Sequence, residues 1–432
     1  MSPFGVSGRR VAIIAGVRTP FARAGTVFKD MTAIELGKRC VAELVQRSNL
    51  DGDLVEGIVY GTVVPSVVAP NIAREISLLP MLSKGCEAYT VSRACASANQ
   101  AITDAADQIV LGHHDVLIAG GAESLSNVPI LHSRAMAGKV VAFSRAKSAS
   151  QRLRVAGTIR PRDFVPITPA IAEPSTGETM GQSAEKMAKI NHIPREEQDQ
   201  FALRSHRLAA VGTDDGRLTA EITPVYVPPR YETALVSDNG IRTDTSIEQL
   251  RALKPVFDRR YGTVTAGNSS PLTDGASAVL LMSEERAAIL GYTPLAFIRS
   301  YAYAALDPGE QLLMGPVLAA PVALKRAGVT LGDIDLIEMH EAFAAQVLCN
   351  LAGFMSREWA ARAGFATPLG EVERSKLNVM GGSIAIGHPF GATGGRILTT
   401  LTNELVRRGG QFGLMTVCAA GGMGHAMVIE RA

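Results

Sequence analysis

Ser97-Ala-Asn-Gln-Ala-Ile-Thr-Asp-Ala-Ala-Asp-Gln-Ile-Val-Leu111 stops at Gly112 and passes into Val116-Leu-Ile-Ala-Gly-Gly121. Ala98, Ala101, Ile102, Ala105 and Ile109 recur at helical spacing, and the run after the glycine reads as a buried strand. The same order returns late in the chain. Thr393 to Arg408 places Ile397, Leu398, Leu401 and Leu405 on one helical face, stops at Gly409-Gly410, and enters Phe412-Gly-Leu-Met-Thr-Val-Cys418. A second pair of segments agrees with the first. Gly52-Asp-Leu-Val-Glu-Gly-Ile-Val-Tyr-Gly61 follows a helical pattern through Cys40, Val41, Leu44 and Val45, and its partner Gly332-Asp-Ile-Asp-Leu-Ile-Glu-Met-His340 follows Val317 to Arg326. Order, type and spacing therefore repeat, and strands alternating with helices in both copies predict two similar α/β halves with parallel sheets covered by helices.

Between the copies, Ser124 to Leu253 is richer in proline and charge, with helical patches at 181–190 and 196–211. It reads as a long excursion that returns at Lys254 to Gly275 and completes the first half with Ala278-Val-Leu-Leu-Met282. The boundaries expected are thus 1–123 with 254–290, an inserted segment 124–253, and a second half 291–432.

The 432 residues carry 43 Lys+Arg against 41 Asp+Glu, 47% hydrophobic residues and 19% charged ones. A chain of this length buries a large core without crosslinks. A net charge of +2 supplies no global field toward nucleic acid. Five scattered cysteines, Cys40, Cys86, Cys95, Cys349 and Cys418, fit a reduced cytoplasmic setting better than a secreted one. Residues 1–10 lack the apolar stretch of a signal peptide, and no apolar run approaches the roughly 18 to 20 residues of a membrane span.

Four segments place chemistry-bearing side chains at strand ends or glycine-rich turns. Cys95 opens the helix just quoted, where unpaired N–H groups favour a thiolate; taken singly it also fits a buried structural cysteine. Gly381-Gly-Ser-Ile-Ala-Ile-Gly-His-Pro-Phe-Gly-Ala-Thr-Gly-Gly395 holds His388 inside a turn, where imidazole can serve as a base to a thiol. No Gly-Lys-Ser/Thr follows, so a phosphate loop is not expected. Cys418 ends a strand and enters Ala419-Ala-Gly-Gly-Met-Gly424, whose backbone N–H groups can hold an oxyanion. His340 ends another strand in Met339-His-Glu-Ala-Phe343. No Cys-x-x-Cys, His-x-x-x-His or His-Glu-x-x-His spacing occurs, so no metal is expected, and Cys40, Cys86 and Cys349 read as packing residues. From Ser124 to Arg162 there is no acidic residue, yet Arg134, Lys139, Arg145, Lys147, Arg152, Arg154, Arg160 and Arg162 all occur. That run suits a solvated surface, a phosphate-rich ligand, an anionic lipid surface or a partner protein; without interleaved aromatics, nucleic acid is not expected.

Together these four segments resemble the thiolase family over nearly the whole chain. His340-Glu-Ala-Phe, in place of the more usual Asn-Glu-Ala-Phe, resembles the trifunctional-enzyme β-subunit branch of fatty-acid β-oxidation. The resemblance implies the five-layered αβαβα thiolase fold, two βαβαβαββ halves with the inserted segment as a loop domain covering coenzyme A. It implies cleavage of 3-ketoacyl-CoA by coenzyme A, with these as substrates and no permanently bound cofactor. Homodimers or tetramers are implied, as is association with a hydratase/dehydrogenase α chain.

By the same resemblance Cys95 is the acylated nucleophile, His388 its base, and Cys418 the acid that protonates the departing acetyl-CoA carbanion. His340, with His388 and a water, holds the enolate oxygen; the backbone N–H groups of Cys95 and Ala420 form a second oxyanion hole. Ser270 matches a residue near the pantetheine arm, and Met314 and Phe343 match acyl-pocket positions. Two departures bear on chain length: Ala420 stands where many relatives have glycine, and Thr179 where some short-chain members have histidine. A biosynthetic acetoacetyl-CoA thiolase uses the same residues in reverse, and a scaffold subunit would use none of them. A ketoacyl-carrier-protein synthase is expected to lack Cys418.

Overall fold

The computed structural model describes residues 8–167 and 172–432. The sequence readings that include residues 1–7 and 168–171 fall, at those positions, outside the described residues.

The main sheet is built from β1 (Val11–Arg18), β2 (Gly57–Gly61), β3 (Glu87–Val91), β4 (Val116–Glu123), β5 (Thr273–Ser283), β6 (Ala296–Ala305), β7 (Leu336–Met339), β8 (Phe412–Ala419) and β9 (Met423–Arg431). They pair in the order β7-β8-β9-β6-β1-β5-β4-β2-β3. From the outer edge inward, β2-β4-β5-β1 in one half is matched by β7-β8-β9-β6 in the other. Leu377, bridging in parallel to Ile337 of β7, occupies the place that β3 holds beside β2. The halves join where Val11, Ala12 and Ile13 pair with Ile298, Phe297 and Ala296.

The expectation of parallel sheets holds for β2 with β3 and β4, and for β7 with β8. In each half the remaining pairs are antiparallel. For β8 and β9 the reason is local, because a connection as short as Ala420-Gly-Gly422 can join only antiparallel neighbours.

Alternation along the strands produces the layers. Val11 and Ile13 of β1, Val279 and Leu281 of β5, and Met415 and Val417 of β8 face a shared central cluster. That cluster is filled by Ala101, Ile102 and Ile109 of the Ser97–Val110 helix and by Ile397, Leu398 and Leu401 of the Thr393–Arg408 helix. The intervening Ala12, Ile14, Leu280 and Met282 face outward onto Leu36, Cys40 and Leu44 of the Ala33–Arg47 helix. On the other half, Leu414 and Val428 face Val317, Leu324 and Leu348 of the Gly315–Ala327 and Ala344–Phe354 helices. The result is helix, half-sheet, paired central helices, half-sheet, helix.

The central helix pair explains the glycine density around His388. A Cβ on Gly394 would come within 2.2 Å of Asn99 Oδ1, and one on Gly121 within 1.9 Å of the Gly391 carbonyl. Only glycine permits this approach.

The chain divides into two compact units, residues 8–127 with 173–432, and Val128–Ala172. Of the excursion expected at 124–253, Val128–Ala172 forms the small unit. The later part of the excursion belongs to the first unit, because the Met180–Ile190 and Arg195–Asp214 helices bury Ala184, Met187, Phe201 and Ala202 in the cluster of the second half. The small unit carries the helices Arg134–Arg145 and Ala149–Ala156, capped by Ser133 and Ser148. Of their side chains only Met136 is buried. Val140, Val141, Phe143, Leu153, Phe164 and Val165 are exposed beside the basic residues, and Lys139 is paired with Asp163 at 2.5 Å.

Candidate active site

Cys95 sits on a tight turn just before the Ser97–Val110 helix. Ala94 lies in the left-handed region at φ 45°, a conformation that costs about 1–3 kcal/mol and must be held by its surroundings. Ser97 holds it: its Oγ accepts from the Arg93 N–H at 2.8 Å and donates to the Ala94 carbonyl at 2.7 Å. The turn presents Sγ to the Ala420 N–H, which donates to it. Ala420 begins the β8–β9 turn, where Gly421 and Gly422 have φ of 84° and 68°, and the Gly421 N–H is held by Glu173 at 2.8 Å.

His388 follows Gly387, whose φ of 116° excludes other residues, and its backbone bridges to Leu272. Its Nδ1 is 2.6 Å from Thr393 Oγ1. His340 ends β7, its N–H bound to the Thr416 carbonyl at 2.9 Å and its Nδ1 3.0 Å from Ser383 Oγ. The two rings lie 4.1 Å apart between centroids. Both Nε2 atoms are buried and, among the described residues, have no hydrogen-bond partner. A ring nitrogen of each histidine and the Cys95 sulfur lie within 4.8 Å of one another. Cys418, 1% exposed at the end of β8, is near enough for a Cys95 thiolate to raise its pKa further, beyond the effect of burial. Thus the four side chains picked from separate segments, with the Ala420 amide, converge on one place.

The electrostatics correct one expectation. A helix N-terminus was expected to favour the Cys95 thiolate, but burial pushes the thiol up to about 11 despite the Ala420 N–H. Burial, followed by the Arg396 charge, pushes His388 down to about 3, and burial holds His340 well below the ordinary imidazole range. Thiol and imidazoles are all neutral here, because desolvation outweighs the partial charge of the helix end.

Several functional side chains escape a reading of sequence alone. Glu123, fully buried at the end of β4, accepts from the N–H groups of Val63, Val64 and Gly391 at 2.9 to 3.0 Å and from Thr62 Oγ1 at 3.2 Å. It ties the turn after β2 to the loop carrying His388, and burial raises its pKa to about 7. Asn378 clamps Met339 through both backbone groups, at 2.8 and 2.9 Å, and binds Glu341, which also holds Ser205 and the Ile384 N–H. A buried Arg396 donates to Ser383 Oγ at 3.1 Å and faces Glu338 at 3.4 Å. The available signal was positional: each polar residue lies inside, or at the end of, an otherwise apolar element.

The residues matched to ligand contacts lie on neighbouring segments. The Ser270 N–H binds the Ala342 carbonyl at 3.0 Å, and Ser269 bridges to Phe343. Met314, wholly buried, shares an apolar cluster with Cys418, and Phe343 packs against that cluster and edge-on to Phe257 at 6.3 Å. Thr179 caps the Met180–Ile190 helix, its Oγ1 accepting from the Gln182 N–H at 3.2 Å. Cys40, Cys86 and Cys349 are buried free thiols, and burial raises all three.

Comparison with known proteins agrees with this geometry. Residues 11–285 match the thiolase N-terminal domain and residues 292–431 the thiolase C-terminal domain. A 3-ketoacyl-CoA thiolase of Pectobacterium atrosepticum is 53% identical, covering 98% of this chain and 97% of its own. One from Yersinia pestis is 50% identical with the same coverage. Among solved structures, Bacillus anthracis acetyl-CoA acetyltransferase aligns at TM-score 0.84 and 33% identity, over 98% of this chain and 99% of that one. Human mitochondrial 3-ketoacyl-CoA thiolase aligns at 0.83 and 31% with the same coverage, and has also been solved in complex with CoA. With family matches on both halves and whole-length relatives at half identity, the chain belongs to the thiolase family.

Proposed function

We propose that the chain is a 3-ketoacyl-CoA thiolase, an acetyl-CoA C-acyltransferase that cleaves 3-ketoacyl-CoA with coenzyme A in β-oxidation. The observation that carries this reading is the convergence of Cys95, under the Ala420 N–H, with Cys418 and the two unpartnered Nε2 atoms. His388 takes the proton of Cys95 as its sulfur bonds to the substrate's C3. The C2–C3 bond then breaks with its electron pair going to C2, and Cys418 delivers a proton there. Acetyl-CoA leaves. Cys418 recovers the proton that His388 took. The thiol of a second coenzyme A then gives its own proton to His388 as it attacks the acyl-Cys95 thioester, the bond to Cys95 breaks, the Cys95 sulfur takes that proton back, and the product is an acyl-CoA shorter by two carbons. Each negative oxygen needs donors ready before it forms: His340 for the enolate, the Cys95 and Ala420 N–H groups for the tetrahedral intermediate.

The likeness to an acetyl-CoA acetyltransferase supports a second reading, a biosynthetic acetoacetyl-CoA thiolase. Thiolysis rates for acetoacetyl-CoA and 3-ketohexadecanoyl-CoA separate the two. Degradative function predicts substantial turnover of the longer substrate; a strict four-carbon preference contradicts it. A labelled Cys95 adduct after incubation with 3-ketoacyl-CoA is expected, and its absence would favour a scaffold subunit.

The unit Val128–Ala172 is assigned here to an anionic lipid surface. It combines eight basic side chains and one acid with exposed Val140, Val141, Phe143, Leu153, Phe164 and Val165. Basic charge beside exposed apolar side chains suits a negatively charged interface. Charge reversal at Arg152 and Arg154 is expected to lower co-sedimentation with anionic vesicles at low salt. Unchanged vesicle binding, with altered KM for coenzyme A or altered binding of a hydratase/dehydrogenase chain, would reassign the unit to that role. A homodimer or tetramer and a cytoplasmic location complete the proposal, supported by the open edge of β3 and by five free thiols.

A further inference from the structure

The catalytic reading asks opposite things of two adjacent imidazoles. His388 must offer a lone pair to Cys95, whereas His340 must offer an N–H to an oxyanion. Both are neutral, so each carries one ring proton, and the partner at Nδ1 decides what remains at Nε2.

Beneath His340 stands Ser383, whose Oγ lies 3.0 Å from Nδ1 and accepts from Arg396 Nη2 at 3.1 Å. A guanidinium can only donate. Among the described residues His340 Nδ1 is the remaining partner of that hydroxyl, so the hydroxyl proton has one acceptor available. If Nδ1 carried the proton instead, the serine hydrogen would be buried without an acceptor, which is unfavourable for a desolvated donor. Beneath His388 the polarity is reversed. Thr393 Oγ1 donates to the Pro389 carbonyl at 3.0 Å, and a carbonyl can only accept. The threonine oxygen is then left to receive a proton from Nδ1, 2.6 Å away.

We infer that Ser383, backed by Arg396, is a positioning residue that fixes His340 as the Nε2–H tautomer and so as a hydrogen-bond donor, while Thr393 fixes His388 in the opposite tautomer as a base. Ser383 touches no reacting atom; it acts through His340. Arg396 is itself steadied by Glu338, so the relay runs from a buried carboxylate to the donor nitrogen. The arrangement also bears on metal binding. With Nε2 of His340 protonated, the Cys95, His340 and His388 cluster offers two donor atoms at most, fewer than the three or four protein ligands that zinc takes.

This inference rests on the proposed thiolase reaction for its consequence, but its first test does not involve turnover. In the whole protein labelled with ¹⁵N-histidine, the ring signals of His340, assigned by their loss in His340→Asn, are expected to report protonated Nε2 and bare Nδ1. Those of His388 are expected to report the reverse. A His340 proton on Nδ1 overturns the inference even if the enzyme is a fully active thiolase; conversely, the tautomers can be as stated in a protein that fails to cleave 3-ketoacyl-CoA.

The second test is kinetic. Ser383→Ala is expected to release the tautomer and lower thiolysis kcat by roughly 10- to 100-fold, short of the full loss of an oxyanion donor. Ser383→Thr, which keeps the hydroxyl, is expected to recover most of it. In a His340→Asn background the donor is an amide with no tautomer, so Ser383→Ala should there cost less than about twofold. An equal loss in both backgrounds would make Ser383 merely structural and overturn the proposal.

Discussion

Cys95→Ser lowers 3-ketoacyl-CoA thiolysis by at least about 10⁴-fold, the scale on which loss of an enzyme's nucleophile is felt. The substitution is nearly isosteric, and Ser97 still holds the Arg93–Ala94 turn, so the fold and its thermal transition should be little changed. What changes is the nucleophile. A serine alkoxide is far harder to form than a thiolate, and His388, held near 3 by burial, is too weak a base to make one unaided. The unmodified thiol supplies an internal check. Its pKa near 11 predicts that alkylation of Cys95 by iodoacetamide accelerates about tenfold per pH unit from neutrality toward pH 10. The sign follows from burial, which disfavours the charged thiolate, so the reactive fraction grows as pH rises through the raised value. Steady-state thiolysis and the intact mass of the acyl-enzyme measure the first effect. Turnover of Cys95→Ser near that of the unmodified enzyme would remove Cys95 as the nucleophile, and an alkylation plateau near pH 7 would contradict the neutral pair.

Much of this site is legible in the chain before any fold is known, and the part that is not has a common cause. Cys95, His340, His388 and Cys418 are exposed to reading because each ends an apolar element or lies in a glycine-rich turn. The repeat is legible for a related reason: two copies of helix, glycine and strand carry the same periodicity at Ile102 and Ile109 as at Ile397 and Leu401. The polar residues that tune the site share that position, but nothing in the position tells which partner each one holds. Glu123 ends an apolar strand, Ser383 and Thr393 lie in the glycine-rich turn, and Arg396 sits inside an apolar helix. Their importance comes from partners far away in sequence, as when Glu123 holds Gly391. Burial is likewise a property of the assembled layers, which is why the helix-end argument for Cys95 gives the wrong sign. The division within the excursion is hidden for the opposite reason. Composition shifts at Ser124, but the apolar faces of the 180–190 and 195–214 helices, which return to the main body, dominate over that texture.

Cys418→Ala separates the two halves of the proposed chemistry. Thiolysis of a 3-ketoacyl-CoA requires a proton at C2 of the leaving enolate, and loss of a positioned acid typically costs about 10²- to 10⁴-fold. Exchange of labelled coenzyme A into acetyl-CoA makes no such demand. It forms and breaks only the thioester on Cys95, using His388 and the Cys95 and Ala420 N–H groups, so it should persist within about tenfold of the unmodified rate if that acid is the only thing lost. The geometry favours a clean separation. Cys418 lies at the end of β8 close to Cys95, whereas the Cys95 turn is fixed by Ser97. Removing the Cys418 sulfur leaves a small cavity in the apolar cluster it belongs to, a modest cost in stability next to the kinetic loss. The high pKa of Cys418 fits the same role. Burial keeps it protonated until an enolate forms, and a strongly basic carbanion can still take its proton. Equal losses in thiolysis and in exchange would assign Cys418 to the structure of the Cys95 site instead of to proton transfer. A loss confined to thiolysis, together with failure of the variant to exchange the C2 protons of acetyl-CoA with solvent deuterium, places the proton on its sulfur.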